Sequence, residues 1–498
     1  MTLLLPFPTG VPRRMTHINE RMATGIVWMI TARLVDRGIG MVSTLLLARL
    51  LAPDDFGLVA MATAIGGLLD VLGAFSFDLA LIQKKNAERR HYDTVWTLNV
   101  IFGLFCAGAL AALAHPAALF YDEPRLVGVM WVLALMYLIN AFGNVGVVNF
   151  RKELDFRQEF NFIMVRRLGT FVVTIGAALI LHSYWALLLG MCLGRTITVA
   201  MSYAMNDYRP RFGLGAMREL FHFSKWMLLN NALGFLRHDG CTFIIGRYFG
   251  AAGLGVYTVS YEISNLPSTE LVAPINRVTF PGFSKMADTA QISASYFRLL
   301  GMITLLILPV GIGIACVAEP LVQAMLGDKW HQAVPLIAIL GISGAITATQ
   351  TNNASVWLAL GRPHEVAIVQ TCYLLILFPA LFFFMRRYGI VGAGYAYLGA
   401  QLMDVVLSMS ATKRLLGFGW GEVLRTVWRP VAGVTLMALA VARLDARLAG
   451  LNPWLRLLTD AGAGALVYLA AVFALWFVSA RPQGAERFCL RRLKVLPA

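Results

Sequence analysis

Long apolar segments joined by short polar connections make up most of this chain. The segments run to about 20 residues with few charged positions, which is the length and composition of a helix that crosses a bilayer. About fourteen such segments can be placed, and they leave no room for a sizeable soluble domain. The pattern therefore predicts an all-α integral membrane protein. The predicted helices cover residues 23–48, 56–82, 94–114, 126–149, 168–182, 185–205, 226–248, 254–279, 297–318, 334–360, 365–385, 389–411, 429–444 and 455–479.

The composition agrees with a membrane location and accounts for the strong positive charge. Of the 498 residues, 58% are hydrophobic and 14% are charged, and the mean hydropathy is +0.68. The net charge is +15, and most of the 42 Lys and Arg residues fall in alternate connections. This asymmetry is the positive-inside pattern of membrane proteins. We therefore expect both termini to be cytoplasmic and no nucleic acid to be bound.

Residues near the start of the chain recur faintly 198 positions later, without a gap. Arg49 recurs as Arg247, and Gly57 recurs as Gly255. Helices one to six and seven to twelve are therefore predicted to form two six-helix lobes in a parallel pseudo-twofold repeat, with two extra C-terminal helices. Parallel repeats are typical of secondary transporters, whose substrate path lies between the lobes.

The repeat and the loop pattern together predict the domain organisation. The predicted parts are a disordered cytoplasmic N-terminus (1–21), an N-lobe (22–205), a cytoplasmic linker (206–225), a C-lobe (226–411), two additional helices (412–480) and a basic cytoplasmic tail (481–498).

The first helix of each lobe carries a cluster of charged residues near mid-membrane. Arg33 and Arg37 share a face of helix one, and Arg237 and His238 lie in helix seven. An ionisable group at this depth is costly unless it is paired or faces water, so these residues predict a cationic cavity. Arginine donates a planar fork that suits phosphate. The alternative is a set of structural Arg–Asp bridges, in which Asp36 neutralises one arginine of its own helix.

Carboxylates also lie at membrane depth, where they can bind a coupling cation, H⁺ or Na⁺, or pair with nearby arginines. The sequence leaves both roles open. Pro267 and Pro274 flank one of these acids, so that helix is predicted to kink or break there. The candidates for ion coupling are Asp36, Asp70, Asp239, Glu262 and Glu270, and Asp404 lies in helix twelve.

Several amide side chains lie in the same predicted helices. Amides can bond sugar hydroxyls, and they also hold neighbouring membrane helices together, so both roles stay open. The candidates for sugar contacts are Asn140, Asn144, Asn230, Gln350 and Asn352.

Motifs for other kinds of chemistry are absent from the sequence. There is no GxxxxGK[ST] loop, which argues against ATP hydrolysis within the chain. The six cysteines form no CxxC pair, which argues against a disulfide framework or a zinc site. We therefore expect a transporter rather than an enzyme, with no catalytic residue, metal site or cofactor.

Two stretches of the sequence identify a related family. LLLARLLAPDDFGLVAMATAIGGLLDVLGAFSFDLALIQ (45–83) resembles the first helical hairpin of Wzx-type polysaccharide flippases, in particular the WzxC-like branch of the MOP exporter superfamily. GRYFGAAGLGVYTVSYEISNLP (246–267) fits the same hairpin in the second lobe. The resemblance covers nearly the whole chain and includes the plan of fourteen helices with cytoplasmic ends.

The resemblance implies a flippase of the bacterial inner membrane. Its substrate would be an undecaprenyl-pyrophosphate-linked oligosaccharide repeat unit, moved from the cytoplasmic to the periplasmic face for exopolysaccharide, O-antigen or lipopolysaccharide biosynthesis. The family also implies ion-coupled alternating access, a monomer, and contact with membrane lipids and the polysaccharide polymerase or export machinery.

Other functions stay open at this point. The same superfamily contains MATE-like drug or cation antiporters and the lipid II flippase. A membrane glycosyltransferase or polymerase is disfavoured, because the sequence offers no large loop for a catalytic region.

Overall fold

The computed structural model describes residues 13–73, 81, 88–152, 156–217, 232, 234–237, 239–286, 288–448 and 450–479. Fourteen helices of twelve or more residues lie in this part of the chain. They are α1 (Arg13–Leu50), α2 (Pro53–Gly73), α3 (Arg89–Tyr121), α4 (Leu126–Ala141), α5 (Phe156–Leu181), α6 (Trp185–Ala204), α7 (Gly240–Pro267), α8 (Ala273–Ser284), α9 (Thr289–Cys316), α10 (Ala333–Ala359), α11 (Pro363–Tyr388), α12 (Val391–Leu416), α13 (Trp420–Leu448) and α14 (Pro453–Val478).

The helices confirm the predicted all-α membrane fold. Within the described residues there is no strand. Seven helices, α3, α5, α6, α9, α10, α11 and α14, are long and apolar enough to cross a membrane by length and composition. Shorter helical turns at Val148–Lys152 and Ala318–Leu321 connect longer elements.

Local sequence signals set many of the helix ends. Helices α11 and α14 begin at Pro363 and Pro453, where proline replaces a backbone donor that has no partner in the first turn. Helices α11 and α12 end at Gly389 and Gly417, whose φ angles of 60° and 72° suit glycine. These signals are visible in the sequence, so the predicted starts at 365 and 455 lie close to the observed ones.

The predicted irregularities around the second hairpin are confirmed. Gly250, with φ 66° and ψ −169°, interrupts α7 where the sequence separates helices seven and eight. A π-helical turn, Ser268–Val272, then connects α7 to α8 between the two prolines. Pro274 has no N–H to donate to the preceding turn, which explains why the regular hydrogen-bond pattern is lost there.

Two helices extend further than predicted. Helix α1 begins at Arg13, so residues 13–21 of the predicted disordered N-terminus are helical. Helix α5 begins at Phe156, well before the predicted start at 168. Hydropathy detects only the apolar part of a helix, so a polar extension of the same helix leaves no signal in that pattern.

The first compact unit comprises residues 1–51 and 62–232. In it α3 packs against α4, α5 packs against both α1 and α6, and α4 packs against α6. The segment after α6 folds back onto this unit. The Tyr208 hydroxyl donates to the Asp93 carboxylate, and Asn206 Nδ2 donates to the Gly146 carbonyl at 2.9 Å. The start of the predicted linker is therefore packed against the helices that precede it.

The second compact unit comprises residues 52–61 and 233–498. Helix α10 is its centre and packs against α7, α9 and α12. In its most apolar stretch 56% of the residues are buried, against at most 33% in the other six apolar helices. Helices α13 and α14 pack against each other, and α13 packs against α9.

Candidate functional site

A small polar cavity of about 160 Å³ opens beside Arg237 in the second unit. Arg237 Nη2 lies 3.6 Å from Asp404 Oδ2 on α12, and its guanidinium carbon lies 4.2 Å from the centre of the Tyr373 ring on α11. Gln401 Nε2 donates to the same Asp404 oxygen at 3.3 Å. Asp404 is 4% exposed, and its Oδ1 has no hydrogen-bond partner among the described residues. The cavity thus presents one guanidinium held by one buried carboxylate.

This pairing differs from the partner that sequence proximity suggests. Asp239 is two residues from Arg237, but it lies at the N-terminal end of α7. The carboxylate that reaches Arg237 comes from α12. The sequence does flag Asp404 as an acid at membrane depth, but it gives no indication of which arginine it meets.

Amide side chains of α10 form one wall of the same cavity. Asn353 Nδ2 donates to Gln350 Oε1 at 2.9 Å, and Gln350 Nε2 donates to Thr349 Oγ1 at 2.9 Å. The Tyr296 hydroxyl of α9 donates to Asn353 Oδ1 at 2.7 Å. Asn352 is fully buried, and within the described residues neither of its amide atoms has a hydrogen-bond partner. Part of this amide cluster therefore joins helices, while Gln350 and Asn353 line the cavity.

In the first unit, Asp36 pairs with Arg167 of α5. Arg167 Nε lies 3.4 Å from Asp36 Oδ1 and donates to the Asp36 carbonyl oxygen at 3.2 Å. Gly40 has no side chain, which gives Arg167 room to lie across α1. The arginine that pairs with Asp36 in the described contacts is therefore on another helix. Arg33 is half-buried and Arg37 is exposed.

A second polar pocket, of about 190 Å³, lies in the first unit between α2, α4 and α6. Asp70 and Tyr137 both line this pocket. Asn140 Oδ1 lies 3.5 Å from Arg195 Nη1. The pocket therefore contains Asp70, a candidate for ion coupling, and Asn140, a candidate for sugar contacts. It also contains Arg195, which is not among the sequence candidates.

An apolar groove of about 850 Å³ runs between α9, α13 and α14 in the second unit. Its lining includes Pro309, Val441, Gly464, Val472 and Trp476. One carboxylate, Asp460, also lines it; this residue is fully buried and, among the described residues, has no hydrogen-bond partner for either oxygen.

Charged groups close to the groove join three segments of the second unit. Arg456 Nη2 lies 2.8 Å from Asp445 Oδ2 and 3.2 Å from Glu319 Oε2. This guanidinium therefore links α14, α13 and the short helix Ala318–Leu321.

The other predicted site residues lie away from these pockets or outside the described part. Asn144 is 2% exposed; its Nδ2 donates to the Tyr208 carbonyl at 2.7 Å and its Oδ1 accepts from the Gly146 amide at 2.8 Å. Its hydrogen bonds therefore stabilise a turn. Glu262 is exposed on α7. His238, Asn230 and the Glu270 side chain lie outside the described residues.

Three arginines of these sites, Arg195, Arg167 and Arg456, are not among the candidates that the sequence indicates. Each lies within a helix that is long and apolar enough to cross a membrane. An ionisable residue inside such a helix is itself a signal of a pair or a site. That signal identifies Asp404, and it applies equally to these three arginines.

Comparison with known proteins identifies the family. Residues 46–335 match the family described as "Polysaccharide biosynthesis protein". The chain is 24% identical over 424 residues to the lipopolysaccharide biosynthesis protein WzxC of Escherichia coli, which covers 83% of this chain and 85% of that protein. It is 24% identical over 463 residues to the teichuronic acid biosynthesis protein TuaB of Bacillus subtilis, which covers 91% and 96%.

Solved structures show the same fold at lower sequence identity. The inward closed lipid II flippase MurJ superposes with a TM-score of 0.72 at 12% identity, covering 92% of this chain and all of that chain. An inward-facing MATE multidrug transporter superposes with a TM-score of 0.57 at 14% identity, covering 79% and 98%. The chain therefore belongs to the polysaccharide biosynthesis protein family.

Proposed function

We propose that the protein moves undecaprenyl-pyrophosphate-linked oligosaccharide repeat units from the cytoplasmic to the periplasmic face of the inner membrane, with both termini in the cytoplasm. One observation carries this proposal. The second unit combines a long apolar groove with a buried polar cavity that contains a guanidinium. A substrate with an isoprenoid tail and a pyrophosphate head needs both environments.

The groove between α9, α13 and α14 suits the isoprenoid tail. Its walls are formed by aliphatic and aromatic side chains, and Gly464 keeps α14 close to Met437 and Val441 of α13. Removal of apolar surface from water contributes about 25 cal/mol per Å². In a bilayer the tail is already out of water, so its gain in the groove is smaller and comes from packing. The groove would therefore orient the tail more than it would retain it.

The Arg237 cavity suits the anionic head group. Pyrophosphate cannot enter hydrocarbon without donors that replace its water, and arginine supplies two parallel N–H donors to one phosphate. The guanidinium carbon lies 4.2 Å from the centre of the Tyr373 ring, a cation–π contact that uses none of the N–H donors an anion needs. Asp404 lies beside one of these donors, so an arriving phosphate competes with this carboxylate for Arg237.

This competition suggests how an ion gradient is coupled to transport. Neutralisation of Asp404 by a proton removes the competing charge and makes Arg237 available to the substrate. Asp404 is 4% exposed, and its Oδ1 has no hydrogen-bond partner among the described residues. This oxygen can take up a proton alone, whereas a metal cation needs several oxygen ligands. We therefore assign the coupling role to Asp404 and the coupling ion to H⁺.

Vesicles with imposed gradients test the coupling. Translocation of lipid-linked oligosaccharide should respond to a pH gradient and remain unchanged with a Na⁺ gradient. Asp404→Asn should abolish the response to pH, because the amide has no proton to exchange. Dependence on Na⁺, or an Asp404→Asn variant that keeps its pH response, would contradict the assignment.

Polymer export in cells tests the function itself. In a strain that lacks the gene, Arg237→Ala should lower export by roughly ten-fold or more, the loss expected for a hydrogen bond to a charged group. Arg386→Ala, at the end of α11, is the matched control and should export normally. Both variants are quantified in membranes by immunoblot. Normal export by Arg237→Ala would defeat the proposed head-group site.

A further inference from the structure

The pocket between α2, α4 and α6 has the composition of a binding site within the first unit. Three of its polar residues, Asp70, Asn140 and Arg195, are exposed on helices that cross or lie in the membrane region. Charged side chains at this depth do not face lipid, because the cost is several kcal/mol each. The face that carries them therefore meets water.

The charges of the pocket define what it can bind. Asp70 and Tyr137 both line the pocket, and Arg195 Nη1 donates to the Asn140 amide oxygen at 3.5 Å. Asp70 and Arg195 thus line one pocket, and the described contacts include no ion pair between them. A ligand must therefore donate to the Asp70 carboxylate and accept from the Arg195 guanidinium at the same time.

Hydroxyl groups meet this requirement better than phosphate. A sugar hydroxyl donates to Asp70 and accepts from Arg195, and neighbouring hydroxyls do both. A phosphate gains Arg195 but is repelled by the Asp70 carboxylate in the same pocket. The pocket therefore favours a neutral polyol over an anion.

The size of the pocket limits the ligand to a small group. Its volume of about 190 Å³ is roughly six times the share of one water molecule and lies below the usual range for drug-sized ligands. Gly66 is essential to this space, because a Cβ there would lie 3.0 Å from the Tyr137 hydroxyl. One sugar ring fits this description, whereas an oligosaccharide does not.

We propose that the pocket formed by Asp70, Tyr137, Asn140 and Arg195 binds a single neutral sugar ring of the transported glycan. This inference rests on the proposed function, and it gives Asp70 a role in recognising hydroxyls instead of coupling an ion. The first unit then binds a sugar of the substrate, and Arg237 of the second unit binds its pyrophosphate.

Cysteine accessibility tests the site without any need for transport. Met191 lines the pocket with an apolar side chain, so Met191→Cys leaves all four polar residues intact. The variant is made in a background with the six native cysteines replaced, reconstituted in lipid nanodiscs, and labelled with a membrane-impermeant cationic methanethiosulfonate. Thr63→Cys, on α2, is a second reporter in case the first variant does not fold.

The probes are the methyl glycosides of glucose, galactose and mannose, with inorganic pyrophosphate as the anionic comparison. At least one glycoside should slow labelling by three-fold or more at tens of millimolar, the range of affinity that a few hydrogen bonds provide. Pyrophosphate should have no effect. In Asp70→Asn the glycoside effect should weaken, and pyrophosphate should begin to protect because the repelling charge is gone.

Three results would overturn the inference: no labelling of either cysteine, protection by none of the glycosides, or protection by pyrophosphate in the protein with Asp70 intact. These outcomes are independent of translocation. If the flippase transports its lipid-linked substrate but no glycoside protects, only the sugar site is lost; if a glycoside protects but no translocation occurs, only the proposed function is lost.

Discussion

At the scale of single residues, carboxylates from other helices pair with three arginines. Arg167 meets Asp36, Arg237 meets Asp404, and Arg456 meets Asp445. Leaving one member of a buried pair without its partner is strongly destabilising, so each pair fixes the relative position of two helices. The pairs differ in exposure: the Arg456 side chain is almost covered, whereas that of Arg167 is about one-third exposed.

Removal of Arg167 should destabilise the first unit. Arg167→Ala leaves Asp36 without its cation, and because both side chains are partly exposed the cost should be about 1–2 kcal/mol, less than for a fully buried pair. The thermal midpoint in detergent, followed by size-exclusion chromatography, should fall. Asp36→Asn combined with Arg167→Gln should recover much of the loss.

Arg157→Ala is the control for this prediction, since Arg157 is an exposed residue of the same helix. It should leave the midpoint unchanged. The pair has no structural role if Arg167→Ala is as stable as the control, or if the double variant is as unstable as the single one.

The sequence indicates Asp36, Arg237 and Asp404 as charges within apolar helices, but it does not indicate which groups pair. Spacing alone defines only contacts between residues three or four apart on the same helix. The true partners of Asp36 and Arg237 lie on α5 and α12, and their approach depends on how the helices pack. Arg195 shows the same limit, since its pocket is built from three helices.

At the scale of helices, two glycines that occupy equivalent positions of the repeat pack against each other. In the second unit, a Cβ on Gly57 would overlap the carbonyl oxygen of Ala251, and a Cβ on Gly255 would overlap that of Pro53. The backbones of α2 and α7 therefore touch, as small residues allow in membrane helices. The sequence shows the recurrence of these glycines, but their mutual contact is visible only in the folded chain.

Alanine at these positions should separate the two helices. Gly→Ala in a helix normally stabilises by up to about 1 kcal/mol. Here the new methyl group would meet backbone, so Gly57→Ala and Gly255→Ala should each lower stability by about 1–3 kcal/mol. Gly108→Ala in α3 is the control, because no atom lies within 4 Å of its Cβ. The thermal midpoint of unfolding is measured for all three variants. Equal midpoints for Gly57→Ala and Gly108→Ala would refute the close contact.

A bulky side chain in the apolar groove should prevent the isoprenoid tail of the substrate from binding there. Ala465 lines the groove on α14, and Leu466 is 71% exposed on the same helix and is not part of the lining. Ala465→Trp should therefore reduce polymer export several-fold, while Leu466→Trp, which places the same side chain outside the lining, should export normally. Export that is equal in the two variants, at matched amounts in the membrane, would show that the groove does not take the tail.

The existence and order of the helices follow well from hydropathy, while their exact extents do not. The breaks at Gly250 and around the π turn after Pro267 follow from the conformational limits of glycine and proline. The early starts of α1 and α5 cannot be predicted in this way, because their first turns are as polar in sequence as a loop. The groove is also unpredictable, since three apolar helices can pack closely or leave a gap between them with the same hydropathy.

At the scale of the whole molecule, the described chain divides its polar groups between two compact units. The first unit holds the pocket with Asp70 and Arg195, and the second holds the Arg237 cavity and the apolar groove. Each site has a different chemistry: hydroxyl recognition, anion binding and an apolar surface. A glycan, a pyrophosphate and an isoprenoid chain require these three properties, and together they form the lipid-linked substrate proposed here.

Reconstitution with purified substrate tests the central claim most directly. The protein is placed in proteoliposomes that contain undecaprenyl-pyrophosphate-linked oligosaccharide, and a membrane-impermeant glycosidase outside reports the glycans that reach the outer leaflet. The account predicts that the protected inner pool becomes accessible in vesicles with the wild-type protein, and that Arg237→Ala slows this by roughly ten-fold or more. An inner pool that stays protected, at the level of protein-free vesicles, would contradict it.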